Sequence, residues 1–105
     1  MNDVKFINEV DGMGNPSGGA VTSIGMVINW QNGPSGRGVD RKPPNGAFVE
    51  DVITAALTRL RFFQGTKFAC QDNEEAIVHL EEAMHSLLIR TRDRENRKVE
   101  GTYQQ

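Results

Sequence analysis

Two runs of helically spaced apolar residues between Asn45 and Lys98 constrain the fold of this chain more than any other feature. In the second run Ala76, Ile77, Leu80, Ala83, Met84, Leu87 and Leu88 recur every three or four residues, a narrow stripe on one α-helix. In the first, Val49, Val52, Ile53, Ala56, Leu60 and Phe63 do the same, which predicts a helix from Ala47 to Gln64. Asn45 is its expected N-cap, and Glu50 and Asp51 fall near its first turn, where negative charge is favoured. Gly65-Thr66-Lys67 closes that helix, and Asp72 with Glu75 has the form of a capping box for the next, with Asn73 as the other candidate cap. Two such stripes across a short turn predict an antiparallel helical hairpin over residues 47–98. Phe48, Ala55 and Phe62 lie off the first stripe, so that helix is apolar on more than one face. A chain of 105 residues cannot bury both faces alone, and an oligomer is expected.

The preceding residues read as a small antiparallel β-region over 1–34, followed by a loop at 35–46, so the fold class is α+β in one domain ending in a tail at 99–105. Val4 to Val10 alternates weakly. Asp11 to Gly19 is dense in turn-forming residues and reads as a loop. From Val21 to Trp30 the alternation is clean, with Thr22, Ile24, Met26, Ile28 and Trp30 on the face expected to pack on something apolar. The stretch after Gln31 is long for a structureless connection, which marks it as functional or disordered. Its Gly33, Gly36 and Gly38 resemble a phosphate-cradling loop, but no Gly-Lys-Ser/Thr follows and no dinucleotide fingerprint runs through them.

Charge and cysteine content exclude several functions. A net charge of -2 argues against polymeric nucleic acid as the partner, so any bound anion should be small. The single cysteine, Cys70, rules out an intramolecular disulfide and a multi-cysteine zinc site, and reads as a small buried residue. The start, Met1-Asn2-Asp3-Val4-Lys5, lacks a basic region followed by an apolar one, and no stretch is long enough to cross a membrane, so a soluble, unprocessed chain is expected.

His79 and His85 share no helical face with each other and have no converging ligands, so no metal is assigned. Glu81 and Glu82 are adjacent and point in different directions, and neither Cys70 nor any serine carries a local nucleophile signature, so no catalytic residue is assigned. The basic end of the second helix is more informative. Residues 90–98 hold five of the twelve Lys and Arg residues, and Arg90, Arg94 and Arg97 at i, i+4, i+7 would share a helical face. Two interpretations stand: a solvated end complementing the helix dipole, or a site for a small phosphate-bearing ligand, with Trp30, Phe63 or Tyr103 holding a base. Trp30 and Phe63 are equally readable as core.

Gln31-Asn32-Gly33-Pro34, Asn45 to Ile53, Phe68-Ala69-Cys70, Ala76 to Ala83 and Val99-Glu100-Gly101-Thr102, in that order and spacing, resemble the phage helical-hairpin sponge family. Its members block bacterial Thoeris and CBASS immunity by sequestering cyclic nucleotide signals, and within residues 27–103 the chain is most similar to the anti-Thoeris branch. The resemblance implies a non-enzymatic protein without cofactors in the host bacterial cytoplasm. It would bind cyclic ADP-ribose isomers as a homo-dimer or hexamer, with cyclic di- or trinucleotides as further ligands. Carried over by position, it implies a pocket from Phe63, Asn73, Arg90, the Arg92-Asp93 step and the tail Val99, Glu100, Gly101 and Thr102, beside the Arg94 and Arg97 of the arginine face. Two positions depart from the family pattern: Lys98 stands where a glycine precedes Val-Glu-Gly-Thr, and Ser86 where a bulkier aromatic is expected. The competing class is an interaction module whose hairpin docks on a host protein.

Overall fold

The computed structural model describes residues 3–105. Met1 and Asn2, part of the expected β-region and of the start read as unprocessed, lie outside the described residues. The element order is β1 (Lys5–Val10), β2 (Pro16–Ser23), β3 (Met26–Asn29), a 3-10 turn at Gly38–Asp40, α1 (Val49–Gln64) and α2 (Gln71–Asn96). This is an α+β chain: an antiparallel three-stranded sheet in the order β1-β2-β3, followed by a helical hairpin. Residues up to Phe48, together with Arg97–Gln105, form one compact unit, and Val49–Asn96 form a second.

The sheet corrects two expectations. The strand expected from Val21 to Trp30 is a hairpin: Ser23 pairs with Met26, so Ile24 and Gly25 are its turn, and Ile24 is 84% exposed instead of packed. Residues 16–19, expected as loop, are the first half of β2 and pair with β1. Gly19 can be nothing larger there, because its φ is +135° and a Cβ would lie 2.2 Å from the Ile7 carbonyl oxygen. A register shift between Asn8 and Val10 marks an irregularity in the edge strand β1, all of whose residues are exposed.

The long connection after β3 is pinned at its base. Trp30 bridges Ala47, the Gln31 amide donates to the Ala47 carbonyl at 2.9 Å, and Asn45 exchanges two 2.8 Å hydrogen bonds with the backbone of Asn32. Asn45 is therefore a loop clamp, not a helix cap, and α1 begins at Val49, two residues after its predicted start. Its side chain satisfies loop backbone groups that would otherwise lack partners.

The hairpin follows the apolar stripes except at Val49, Ala56 and Leu88, which were assigned to them and are exposed. Gln64 meets Asn73 and Glu74, while Arg61 meets Glu81 at 3.6 Å, so residues later in α1 face residues earlier in α2 and the helices run antiparallel. Leu57 and Ile77, 5% and 7% exposed, are the buried apolar residues of this unit. Leu57 continues the spacing Ile53, Leu57, Leu60, whereas Ala56, assigned to the stripe, is exposed. α2 starts at Gln71, one residue before the expected capping box, which places Asp72 inside the first turn. Cys70, expected to be buried, is exposed. Phe62, Val78, Leu88 and Ile89 are also exposed, so a single copy leaves much of the hairpin's apolar surface uncovered. Among the described residues no helix is long and apolar enough to cross a membrane.

Candidate functional site

The tail is built onto the pinned loop. After α2 ends at Asn96 the chain reverses through Lys98, which has φ +61° although it is not glycine, and again through Gly101 at φ +80°. Left-handed residues of this kind end helices and redirect the chain. The reversal carries the tail to the loop, where the Gly36 amide donates to the Gly101 carbonyl at 2.8 Å and Arg37 Nη1 donates to the Glu100 carbonyl at 3.0 Å. The two backbones are so close that a Cβ on Gly101 would lie 2.3 Å from the Gly36 oxygen. Val99 is buried at 9% exposure, and the Thr102 hydroxyl and amide both donate to its carbonyl, a compact turn. Val99 to Thr102 are thus fixed by a backbone clasp whose other half is Ser35 to Arg37.

The hairpin turn is fixed by one amide. Gln64 Nε2 donates to the Cys70 carbonyl and to Glu74 Oε1, and Gln64 Oε1 accepts from the Cys70 amide and Asn73 Nδ2, all at 3.0 Å. Asn73 Nδ2 also donates to the Phe68 carbonyl at 3.2 Å. Phe63 and Asn73, two of the expected pocket residues, are therefore held at the same end of the hairpin, both half-buried. Phe63 packs on Phe62 with ring centroids 5.9 Å apart.

Arg90, further along the same helix, is not with them. Arg90 follows Asn73 on α2, and at about 1.5 Å of rise per residue the two are about 25 Å apart along the helix axis. That exceeds the width of any cyclic mononucleotide, so one hairpin does not bring Phe63 and Asn73 to the same ligand as Arg90. Arg90, Arg92 and Asp93 are exposed, and Arg90 and Arg92 make no hydrogen bond or ion pair among the described residues.

The single arginine face over Arg90, Arg94 and Arg97 does not form. Arg94 is 9% exposed, and no buried side-chain nitrogen or oxygen lacks a partner among the described residues, so its guanidinium is committed inside the protein. Arg97 lies beyond the end of α2, and its Nη2 donates to the Gln105 carbonyl at 2.7 Å. Of the residues that shape these two regions, Gln64 and Arg37 carried no signal in the sequence beyond their type. Gly36 and Gly101 were visible as glycines, but not as each other's neighbours.

Among the described residues, no three of the His, Cys, Asp and Glu side chains group so that they could hold a metal ion. His79 Nδ1 lies 3.8 Å from Glu82 Oε2 on the exposed face of α2. The basic groups open to a ligand are the guanidiniums that the protein does not itself use, and a guanidinium binds phosphate through two parallel N–H donors.

Comparison with known proteins places the pattern. Residues 22–88 match the family described as Acb2/Tad1, hairpin domain. The Bacillus phage SBSphiJ7 protein named Thoeris anti-defense 1 is 44% identical over 78 residues, 74% of this chain and 52% of that protein. The chain thus spans about half the length of that curated relative.

Proposed function

The chain belongs to the Acb2/Tad1 hairpin-domain family, and on that premise we propose that it is an anti-Thoeris protein that captures the host's cyclic ADP-ribose-type signal and holds it without chemical change. The similarity to Thoeris anti-defense 1 supports the anti-Thoeris part of the reading. The observation that carries the capture is the pair of exposed arginines, Arg90 and Arg92, which have no partner among the described residues and so can offer their donors to phosphate. Phe63 and Asn73 supply the other half of the pocket, an aromatic face and an amide for the base.

These halves belong to different protomers. The rise of about 25 Å between Asn73 and Arg90 separates them within one chain. A two-fold pairing about an axis perpendicular to the hairpins brings the turn of one to the far end of its partner. The protein works as a homo-dimer or as a hexamer of such dimers, in the host cytoplasm, and cyclic di- or trinucleotides of CBASS are further ligands. The tail Val99 to Thr102, preformed by its clasp on the loop, offers backbone donors to the ligand.

The test is to incubate purified protein with a cyclic ADP-ribose isomer produced by a Thoeris TIR protein, remove free small molecules, and heat. Intact ligand released on denaturation supports sequestration, and altered product would show an enzyme instead. A second reading, docking on a host protein, draws on the exposed Phe6, Ile7 and Val10 of edge strand β1. In that case the signal stays in solution untouched.

A further inference from the structure

Arg59 is a cation that the hairpin positions but does not neutralise. Its Cζ lies 4.9 Å from the Phe62 ring centroid and 5.1 Å from that of Phe63, and the two rings are tilted by 52°. The guanidinium therefore sits in the notch between two aromatic faces, held by cation–π attraction at i+3 and i+4 on one helix. Among the described residues it makes no hydrogen bond and no ion pair, and its N–H donors find no acceptor there. Its neighbour shows the usual alternative: Arg61, two residues on, pairs with Glu81 across the hairpin. Arg59 is exposed, and Phe62 beneath it is 56% exposed, so both the cation and one ring face are open to a ligand.

We propose that Arg59 is a ligand-contacting residue that grips a phosphate of the bound nucleotide from the hairpin-turn end, while the base lies on the Phe62 and Phe63 rings. This rests on the nucleotide-capture reading and adds to it a second phosphate contact beside that of Arg90. Phe63 is four residues from Arg59, one turn of helix, so an aromatic face and a guanidinium meet one ligand on the same short surface. A cyclic nucleotide carrying a diphosphate offers both chemistries at that spacing: a flat ring for stacking and paired anionic oxygens for a bidentate fork. A cation–π contact leaves the donors at the guanidinium edge pointing outward, and it fixes the side chain in advance, so little rotamer freedom is lost on binding.

The test uses Arg59→Met, which keeps the apolar stem over the rings and removes the charge, beside Arg59→Lys, which keeps the charge without the fork. Binding of cyclic ADP-ribose and of inorganic pyrophosphate is measured by calorimetry on the assembled protein, with circular dichroism to confirm the hairpin. Arg59→Met is expected to weaken both probes by about tenfold to a hundredfold, the loss of one charge-assisted contact, with Arg59→Lys between it and the parent. Arg59→Met binding both probes as the parent does would overturn the assignment and leave the capture reading standing. A parent that takes pyrophosphate but not cyclic ADP-ribose, with Arg59→Met losing it, keeps Arg59 as a phosphate contact and sinks the ligand reading. A parent that takes neither overturns both.

Discussion

Replacing Gly101 by alanine should open the clasp between tail and loop. At φ +80° an alanine carries a backbone cost of about 1–2 kcal/mol that glycine escapes. Its methyl group would also stand 2.3 Å from the Gly36 oxygen and 3.1 Å from the Gly36 carbonyl carbon, which are backbone atoms and cannot rotate away. The tail must then lift off, breaking the 2.8 Å bond from Gly36 to Gly101 and the 3.0 Å bond from Arg37 to the Glu100 carbonyl. The first is worth about 1 kcal/mol and the second, from a charged donor, about 1.5–3 kcal/mol before allowance for partial exposure. Those bonds favour the closed state by about 3 kcal/mol, so a strain and overlap that together exceed this hold the tail open and cost Gly36 about a hundredfold of protection. Amide hydrogen exchange at Gly36 reads this directly, since that amide is protected only while the clasp is shut, and ligand capture should fall with it. If the sheet survives without the tail, the urea midpoint moves little while Gly36 protection collapses. Gly36 exchange within threefold of the parent would refute the reasoning, because the steric argument leaves the closed state no room for the methyl group.

The other expectations are simpler to state. Lys98→Gly relieves the left-handed strain at φ +61° and should stabilise the protein by about 0.5–1 kcal/mol, raising its melting temperature by about 3–6 °C at fixed protein concentration; a lower melting temperature would mean that the lysine side chain holds the turn. Arg90→Ala and Asn73→Ala should each abolish capture while the oligomer stays assembled, and co-expressing the two should restore about a quarter of the sites, since half of random pairs are mixed and each mixed pair has one intact pocket. No restoration on mixing would place both residues in one protomer's pocket. The Asp11 carboxylate, held below its ordinary range by the amides of Asn15 and Met13, contributes to its turn above the ordinary carboxylate pKa and loses that contribution as pH falls through its lowered value. The Met13 and Asn15 amide resonances should therefore titrate below the ordinary aspartate range; titration at the ordinary value would count against it.

The hairpin was legible in the sequence because helical spacing survives any tertiary context that keeps the stripe covered. Ile77 and Leu80 lie where the spacing put them, and Leu57 completes the same series although Ala56 competed for its place. The sheet was read less well for a definite reason. A two-residue turn puts Ser23 and Met26 on one face, so the parity reverses there. Val21 and Ser23 share the half-buried face with Met26 and Ile28, while Thr22, expected on that face, is exposed opposite Val27. An alternation read straight from Thr22 to Trp30 could not show the turn. The glycines at 18 and 19 looked like loop because composition alone cannot separate a flexible glycine from one demanded by a neighbouring backbone. The clasp was invisible because its halves, Gly36 and Gly101, meet only in the fold, and the arginine face failed because the helix ends at Asn96, before Arg97.

The uncovered apolar surface and the proposed division of the pocket point to one solution. A hairpin that buries little beyond Leu57 and Ile77 leaves Phe62, Leu88 and Ile89 in water, a state that a second copy would relieve through the hydrophobic effect. The same second copy is needed to bring an Arg90 to a Phe63 and an Asn73, since no bending of a continuous helix closes a gap of about 25 Å. Covering α1 and α2 by an isologous contact meets both needs with one symmetry operation, and it creates two equivalent pockets because whatever one protomer offers its partner is offered back. On this view oligomerisation is part of ligand recognition. In the arrangement we propose, Arg59 and Arg90 approach one nucleotide from opposite protomers, and a dilution that separates the protomers is expected to release the ligand.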